Sequence, residues 1–164
     1  MDTPWLDDVE QRAWRAFLRT HARVLAQLAR ELQLASELSL ADYDVLVRLT
    51  EAPGTALRPA ELAERLQWER SRLSHQLNRM ERRGLVHKQD HPVDGRGLVI
   101  QATDHGMRAI RDAAPGHAAA VRRLFLANIP ASELKPLTQT LEGVLDRLDA
   151  NSAEDPVRDA AAGP

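Results

Sequence analysis

The sequence contains no cysteine in its 164 residues. Disulfide bonds, thiolate metal sites and cysteine-based redox switches are therefore excluded. Aromatic side chains make up only 4% of the chain, so leucine, valine and alanine must fill the core. No run reaches the roughly 18 apolar residues that a membrane span requires. The first 14 residues are acidic and amphipathic, unlike a signal peptide, and we expect a cytoplasmic protein that does not contact membranes.

Motifs of common enzyme chemistry are also missing. The chain has no GxSxG, no Walker glycine loop and no HExxH. Gly95-Arg96-Gly97 falls in a predicted turn, and one GxG is no evidence for a nucleotide site. Without a nucleophile and base, paired carboxylates or a phosphate-cradling loop, we expect no enzyme activity and no cofactor.

Two groups of residues that contain histidine are candidate metal sites. They are His87, Asp90 and His91 on a predicted hairpin, and His21, His105 and His117 on predicted helices. Zinc needs ligands held in a fixed shell with further hydrogen-bonding support. The first group lies on a hairpin arm and its tip, and the second is scattered along the chain. We therefore predict no metal site.

The charge of the chain is unevenly distributed. The formal net charge is −2, but residues 58–101 contain nine Lys/Arg and six Asp/Glu, a net of +3, which leaves −5 for the remainder. Attraction to phosphate is a short-range effect of a local patch at physiological salt. This basic segment within an acidic protein predicts a nucleic-acid contact that the whole-chain charge conceals.

The basic segment contains a helix with two different faces, predicted over residues 70–83. Leu73, Leu77 and Met80 are spaced i, i+4, i+7 and share one stripe. The other side chains are cations or short hydrogen-bonding groups, the types that contact bases and phosphates. The predicted DNA-contacting residues of this helix are Arg70, Ser71, Arg72, Ser74, His75, Gln76 and Arg79, while Arg82 and Arg83 are expected to meet phosphates or solvent. Arg58 is added as a phosphate contact because it occupies a helix start where a polar cap is usual.

Shorter signals delimit the elements around this helix. Ser39, with Asp42 three residues on, predicts a capped helix that ends at Pro53-Gly54, and Pro59 suits the first turn of the next one. Trp68 is expected to pack at the joint before the basic helix, which Gly84 should end. Residues 85–88 and 98–101 predict two strands joined by a turn-rich tip that carries Arg96.

The two ends of the chain are predicted to be helical. An apolar stripe over residues 5–33 predicts a helix about 45 Å long, too long for one small module to cover, so a second subunit is expected. Thr103 starts another helix, which Pro115-Gly116 should kink or interrupt. Pro130 marks a last helix with a leucine stripe. Residues 151–164 are small and polar and are predicted to be disordered.

This order of elements resembles the MarR family of bacterial transcription regulators over about residues 5–149. The specific pieces are Tyr43-Asp44-Val45-Leu46 before the motif, Glu61-Leu62-Ala63 with Leu66 in its first helix, Glu81-Arg82-Arg83-Gly84-Leu85-Val86 at the exit of the second, and Asp94-Gly95-Arg96 in the wing. The resemblance implies a mainly α fold with a small β wing. The implied parts are a dimerisation helix (1–37), a winged helix-turn-helix module (38–102), C-terminal dimerisation helices (103–150) and a disordered tail (151–164).

The resemblance also implies a function. Members are homodimers that bind a pseudo-palindromic operator, with a recognition helix in the major groove and a wing in the adjacent minor groove. The family's wing arginine and wing aspartate correspond to Arg96 and Asp94. Members usually repress a neighbouring gene and release DNA when a small aromatic or drug-like ligand binds. The family's ligand pocket is not marked by a sequence motif, so the resemblance does not identify the ligand.

Four residues are candidates for ligand contact because planar molecules suit aromatic groups with a polar handle. They are Trp14, Phe17, His21 and Tyr43. Core packing is the simpler interpretation of each. A second function also remains open, because winged helices serve as protein-docking modules without DNA binding.

Overall fold

The computed structural model describes residues 5–90 and 97–154. The chain forms two compact units, Met1–Val121 and Arg122–Pro164. The elements in chain order are α1 (Asp8–Ser36), α2 (Leu40–Thr50), β1 (Ala56–Leu57), α3 (Pro59–Leu66), α4 (Arg70–Arg82), β2 (Val86–Asp90), β3 (Leu98–Ala102), α5 (Asp104–Leu124) and α6 (Ala131–Glu154). This mainly helical fold with one small sheet confirms the predicted fold class.

The winged module, defined as residues 38–102, contains α2, α3, α4 and a three-stranded antiparallel sheet of order β1-β3-β2. β2 and β3 form the predicted hairpin, whereas β1 was not predicted because two residues are too short for a periodic signal. The core of the module is closely packed and apolar. Its fully buried members, at 0% exposure, are Val45, Leu46, Leu49, Leu62, Met80 and Ile100.

Two predicted helix boundaries are confirmed. The Ser39 hydroxyl accepts a hydrogen bond from the Asp42 N–H (3.1 Å), while an Asp42 carboxylate oxygen accepts one from the Ser39 N–H (2.9 Å). This reciprocal pair is the capping box that starts α2. At the end of α4, Gly84 has φ +68°. The Leu85 N–H reaches back to the Met80 carbonyl at 3.0 Å, which closes a Schellman motif.

The start of α5 is joined to the end of α4 by Thr103. Its hydroxyl accepts from the Gly106 N–H at 3.0 Å and donates to the Gly84 carbonyl at 2.6 Å. Gly106 is required here because a Cβ at this position would lie 2.1 Å from the Leu85 carbonyl oxygen. The close approach holds the exit of the basic helix against α5.

Three boundaries differ from the predictions. α1 begins at Asp8 rather than residue 5, because Asp7 caps it in a second capping box with Glu10. α5 contains Pro115 yet continues to Leu124 without interruption. Proline removes one helical hydrogen bond, and Ala113 and Ala120 on either side of it are buried. α6 extends to Glu154, past the predicted start of the tail. Residues 155–164, the rest of that tail, lie outside the described residues.

The helices at the two ends expose much of their apolar surface. In α1, Leu28 and Leu32 are buried, whereas Trp14 and Phe17 are about half exposed, at 52% and 51%. In α6, Leu145 and Leu148 are exposed to 57% and 55%. Across residues 5–90 and 97–154, no helix combines the length and apolarity needed to cross a bilayer.

Candidate DNA-binding surface

The basic helix α4 has one buried and one exposed face. Leu73, Leu77 and Met80 point into the core, as their spacing predicts. Six of the seven side chains predicted to face DNA are exposed: Arg70, Ser71, Arg72, Ser74, His75 and Arg79. The exposed face therefore presents three guanidinium groups, two hydroxyls and an imidazole on one rigid element.

An open groove runs along each side of this face. One has a volume of about 520 Å³ and is lined by Arg58, Arg70 and Lys88. The other, of about 590 Å³, is lined by Arg72, Arg79 and Arg82. The major groove of B-DNA is about 12 Å wide and has a phosphate strand on either side. Cations on both sides of one exposed helix match that arrangement.

Two cations are held in place by neighbouring side chains. The guanidinium of Arg72 lies 4.2 Å from the centroid of the Trp68 ring, a cation–π contact. Trp68 itself packs against the core, as predicted. The Lys88 ammonium on β2 donates to the Asn78 side chain on α4 at 2.6 Å and lies 3.1 Å from the Glu81 carboxylate. These contacts fix Arg72 and join the wing to the helix.

Gln76 was predicted to face DNA, and this prediction is wrong. The side chain is only 3% exposed. Its Nε2 donates to Asp42 at 2.6 Å, and its Oε1 accepts from Arg79. The sequence did contain the signal, because Gln76 lies three residues after Leu73 and four before Met80, on the buried stripe.

Arg83 is exposed, in line with its predicted position among phosphates or solvent, but its guanidinium also makes contacts within the protein. Its Nη1 lies 2.6 Å from an Asp42 carboxylate oxygen, and its Nη2 donates to the Glu37 carbonyl at 2.9 Å. Asp42 is 1% exposed and accepts hydrogen bonds from Ser39, Gln76 and Arg83. A buried carboxylate needs such partners, because an unpaired charge in the interior is costly.

The remaining predicted DNA contacts lie on either side of α4. Arg58 is the residue before α3 and makes no side-chain capping hydrogen bond. An arginine side chain has no acceptor with which to cap a helix start. Arg58 is exposed and lines the first groove. Asp94 and Arg96, the predicted wing contacts, lie outside the described residues, as does His91.

The four candidate ligand contacts fall into two groups. Trp14, Phe17 and His21 follow one another along α1, with ring centroids 5.7 and 6.1 Å apart. The ring of Tyr43 instead meets His117 of α5 at 4.3 Å. His117 was not predicted as a ligand contact, since no local pattern relates residues that are far apart in sequence.

A cavity of about 150 Å³ lies beside His117, between α1 and α5. An engineered cavity of similar volume accommodates benzene in another protein. Burial lowers the pKa of His117, although the carboxylate of Asp44 opposes this. Burial also raises the pKa of Asp44, against the opposing charges of His117, Arg48 and Arg72. Asp44 thus interacts electrostatically with both the cavity residue and the basic helix.

Among the described residues, no group of three or more His, Cys, Asp or Glu side chains could hold a metal ion. His87 instead lies 3.1 Å from the Gln89 side-chain oxygen on the same strand.

A family model described as MarR family matches residues 36–97. Among solved structures, AbsC, a MarR family transcriptional regulator from Streptomyces coelicolor, is 38% identical, with a TM-score of 0.84 over 90% of this chain and 99% of AbsC. Sco3205 from the same organism, in complex with DNA, is 36% identical, with a TM-score of 0.83 over 90% and 93%. CouR from Rhodococcus jostii RHA1, bound to p-coumaroyl-CoA, is 25% identical, with a TM-score of 0.71 over 84% and 92%. A comparison with curated protein sequences found no match.

Proposed function

This chain belongs to the MarR family of transcriptional regulators, which are not enzymes, and we propose that it is a homodimeric repressor. It binds a pseudo-palindromic site in double-stranded DNA through α4. A small organic ligand releases it from that site. The observation that carries this proposal is the exposed face of α4 with a cationic groove on each side.

The position of each side chain along α4 supports a division of roles. Arg70, Ser71 and Arg72 lie in the first turn, the part of a recognition helix that approaches base edges. Arg79 lies two turns further along and is assigned to phosphate, as is Arg58. The predicted wing contacts, Asp94 and Arg96, complete the proposed DNA set.

The structure of Sco3205 with DNA supports DNA as the partner over a protein-docking role. A docking surface for a protein has an apolar centre with charge at its rim. The exposed face of α4 has the opposite character, because its apolar residues are buried and its cations are exposed.

The proposed homodimer is supported by the exposed apolar surfaces of α1 and α6. A soluble monomer rarely leaves contiguous apolar surface of this kind in water. Trp14 and Phe17 on α1 and Leu145 and Leu148 on α6 are each about half exposed in a single chain. A second copy would cover them and would place two α4 helices to bind two half-sites.

The proposed ligand site is the cavity between α1 and α5 beside His117. Its volume suits one aromatic ring, and His117 and Ser36 provide polar groups at its lining. Glu31 and Asp112 also line it, so a neutral or cationic ring suits it better than a ligand that carries a further carboxylate. CouR with bound p-coumaroyl-CoA supports ligand binding as a property of related proteins.

A salt titration on the protein's own upstream intergenic DNA tests the DNA-binding proposal. Binding should weaken steeply with salt, and Arg58→Ala and Arg79→Ala, at the two residues assigned to phosphate, should each lower the slope of log affinity against log salt by about one per arginine removed. Arg147→Ala, at an exposed position on α6, is the matched control and should leave the slope unchanged. A folded dimer that shows no preference for this DNA over random duplex would support the docking alternative.

A thermal-shift screen of phenolic compounds and antibiotics tests the ligand proposal. A ligand of the cavity should raise the melting temperature and weaken DNA binding, and His117→Phe should abolish both effects. His105→Phe, at an exposed position on the same helix, is the control. Compounds that stabilise the protein while leaving DNA affinity unchanged would contradict release by ligand.

A further inference from the structure

We propose that Asp42 and Gln76 are positioning residues that hold the Arg79 guanidinium in its DNA-facing orientation. This inference rests on the proposed function, because it assumes that the exposed face of α4 contacts DNA. The observation behind it is a continuous chain of hydrogen bonds from the buried carboxylate of Asp42, through the buried amide of Gln76, to Arg79 at the surface.

The buried end of this series of hydrogen bonds determines which group donates and which accepts at each step. The Asp42 carboxylate is paired with Arg83 and only accepts hydrogen bonds. The Gln76 amide must therefore present its NH₂ group to Asp42, at 2.6 Å. Its oxygen then points away from Asp42, where it accepts from the Nη2 of Arg79. A reversed amide would face the carboxylate with a second acceptor and would lose both contacts.

The buried end is itself rigid. One Asp42 oxygen accepts from the Ser39 N–H at the start of α2 (2.9 Å) and from Arg83 at the end of α4 (2.6 Å), and the other accepts from Gln76. α4 is thus attached to α2 at Gln76 and at Arg83, seven residues or about 10 Å apart along the helix. Two attachment points restrict both sliding and rotation of the helix.

The consequence at the surface is a more ordered arginine. A free arginine side chain loses rotamer freedom when it binds, which weakens the contact. Gln76 engages one nitrogen of Arg79 and leaves the remaining N–H donors of the guanidinium for a phosphate. Pre-ordering of this kind increases affinity without adding a contact to DNA.

The test is a double-mutant cycle on DNA affinity with Gln76→Met and Arg79→Ala. Methionine keeps the length of the side chain and removes both hydrogen-bonding groups of the amide. We expect Arg79→Ala to weaken binding about tenfold and Gln76→Met about fivefold, and the double variant to match Arg79→Ala to within about twofold. Arg82→Ala, in the same groove but bonded to the Asn78 carbonyl instead, is the matched control, and its effect should multiply with that of Gln76→Met.

If Gln76 served only to stabilise the fold, Gln76→Met would weaken DNA binding equally with and without Arg79. A positioning role predicts a different pattern. The loss of melting temperature caused by Gln76→Met should be the same with and without Arg79, whereas its effect on DNA affinity should vanish without Arg79. If Gln76→Met does not fold, Asp42→Asn perturbs the same chain of hydrogen bonds at its buried end. An asparagine amide can both donate and accept, so it no longer enforces one orientation of the Gln76 amide. Its effect on affinity should also vanish in the Arg79→Ala background.

The outcomes separate this inference from the proposed function. If Arg79→Ala weakens binding and the double variant loses affinity by the product of the two single losses, the positioning role is wrong. The assignment of the exposed face of α4 to DNA would be unaffected. If Arg79→Ala alone has no effect while Arg72→Ala does, the positioning role is also wrong. If neither arginine affects affinity, the proposed function itself fails.

Discussion

The winged module and the terminal helices differ in how far their apolar side chains are buried within one chain. In the winged module, Leu46, Leu62 and Met80 are fully buried within a single chain. In α6, Leu145 and Leu148 expose more than half of their surface, and in α1 the exposed stripe begins near the N-terminus. The core of the module is therefore completed within one chain, with Leu32 of α1 and Ile110 of α5 contributing to it, whereas α1 and α6 carry surface that remains exposed in one chain. Substitutions in the two regions should differ in how their effects depend on protein concentration.

The largest effect is expected in the core of the winged module. Leu46→Ala removes a side chain with 0% exposure and should lower the free energy of unfolding by about 2–5 kcal/mol. Because the residue packs within its own chain, the loss should be similar at low and high protein concentration. Urea denaturation at two concentrations measures this. A loss that disappears at high concentration would show that the module depends on a partner chain.

A smaller, concentration-dependent effect is expected in α6. Leu145→Glu places a charge on the proposed dimer surface and should weaken self-association by about 2 kcal/mol or more. Sedimentation equilibrium should show dissociation into chains of about 18.3 kDa as the protein is diluted. Glu142→Gln, at an exposed polar position on the same helix, is the control. An unchanged association constant would mean that Leu145 does not lie in the interface.

The next effect concerns the exposed face of α4. Arg72→Ala should cost about 1–3 kcal/mol per half-site and relax the preference for one base pair, because a guanidinium in the first turn can pair with guanine. Stability should change little, since the contact with Trp68 lies at the surface. Binding to single-base variants of the operator measures the preference. Equal weakening on every sequence would assign Arg72 to phosphate instead.

The wing arginine provides a contrasting case. Arg96→Ala should weaken binding to most sequences alike, because the minor groove displays a degenerate pattern of hydrogen-bonding groups. The same set of operator variants measures this. A change of base preference in Arg96→Ala, with none in Arg72→Ala, would reverse the two proposed roles.

The smallest effect is a pH dependence at His117. Burial holds its pKa below the ordinary value of 6.5, so the folded state binds fewer protons than the unfolded state between the two values. Stability should therefore fall as the pH drops below about 6.5. Asp44 acts in the opposite direction at lower pH, because its raised pKa makes the folded state bind more protons above 3.8. His117→Gln should flatten the first decline, as urea titrations from pH 7.5 to 5 would reveal.

What could be predicted from the sequence followed from local signals. The Ser39–Asp42 capping box, the Gly84 helix end and the apolar stripe of α4 each involve residues within one or two turns. The missed features join distant residues, such as Gln76 with Asp42, 34 positions apart, and Arg83 with Asp42, 41 apart. No periodicity encodes such a pair. Gln76 shows both cases. Its spacing from Leu73 and Met80 places it on the buried stripe, whereas nothing in the sequence identifies Asp42 as its partner.

The most direct test of the central claim is the stoichiometry of the DNA complex. Sedimentation velocity of a labelled upstream operator, titrated with the protein, should show two chains bound per pseudo-palindromic site, with each half-site needed for full affinity. The complex should be lost when the exposed arginines of α4 are replaced while the dimer persists. One chain bound per site with undiminished affinity, or a stable dimer that ignores this DNA, would contradict the claim.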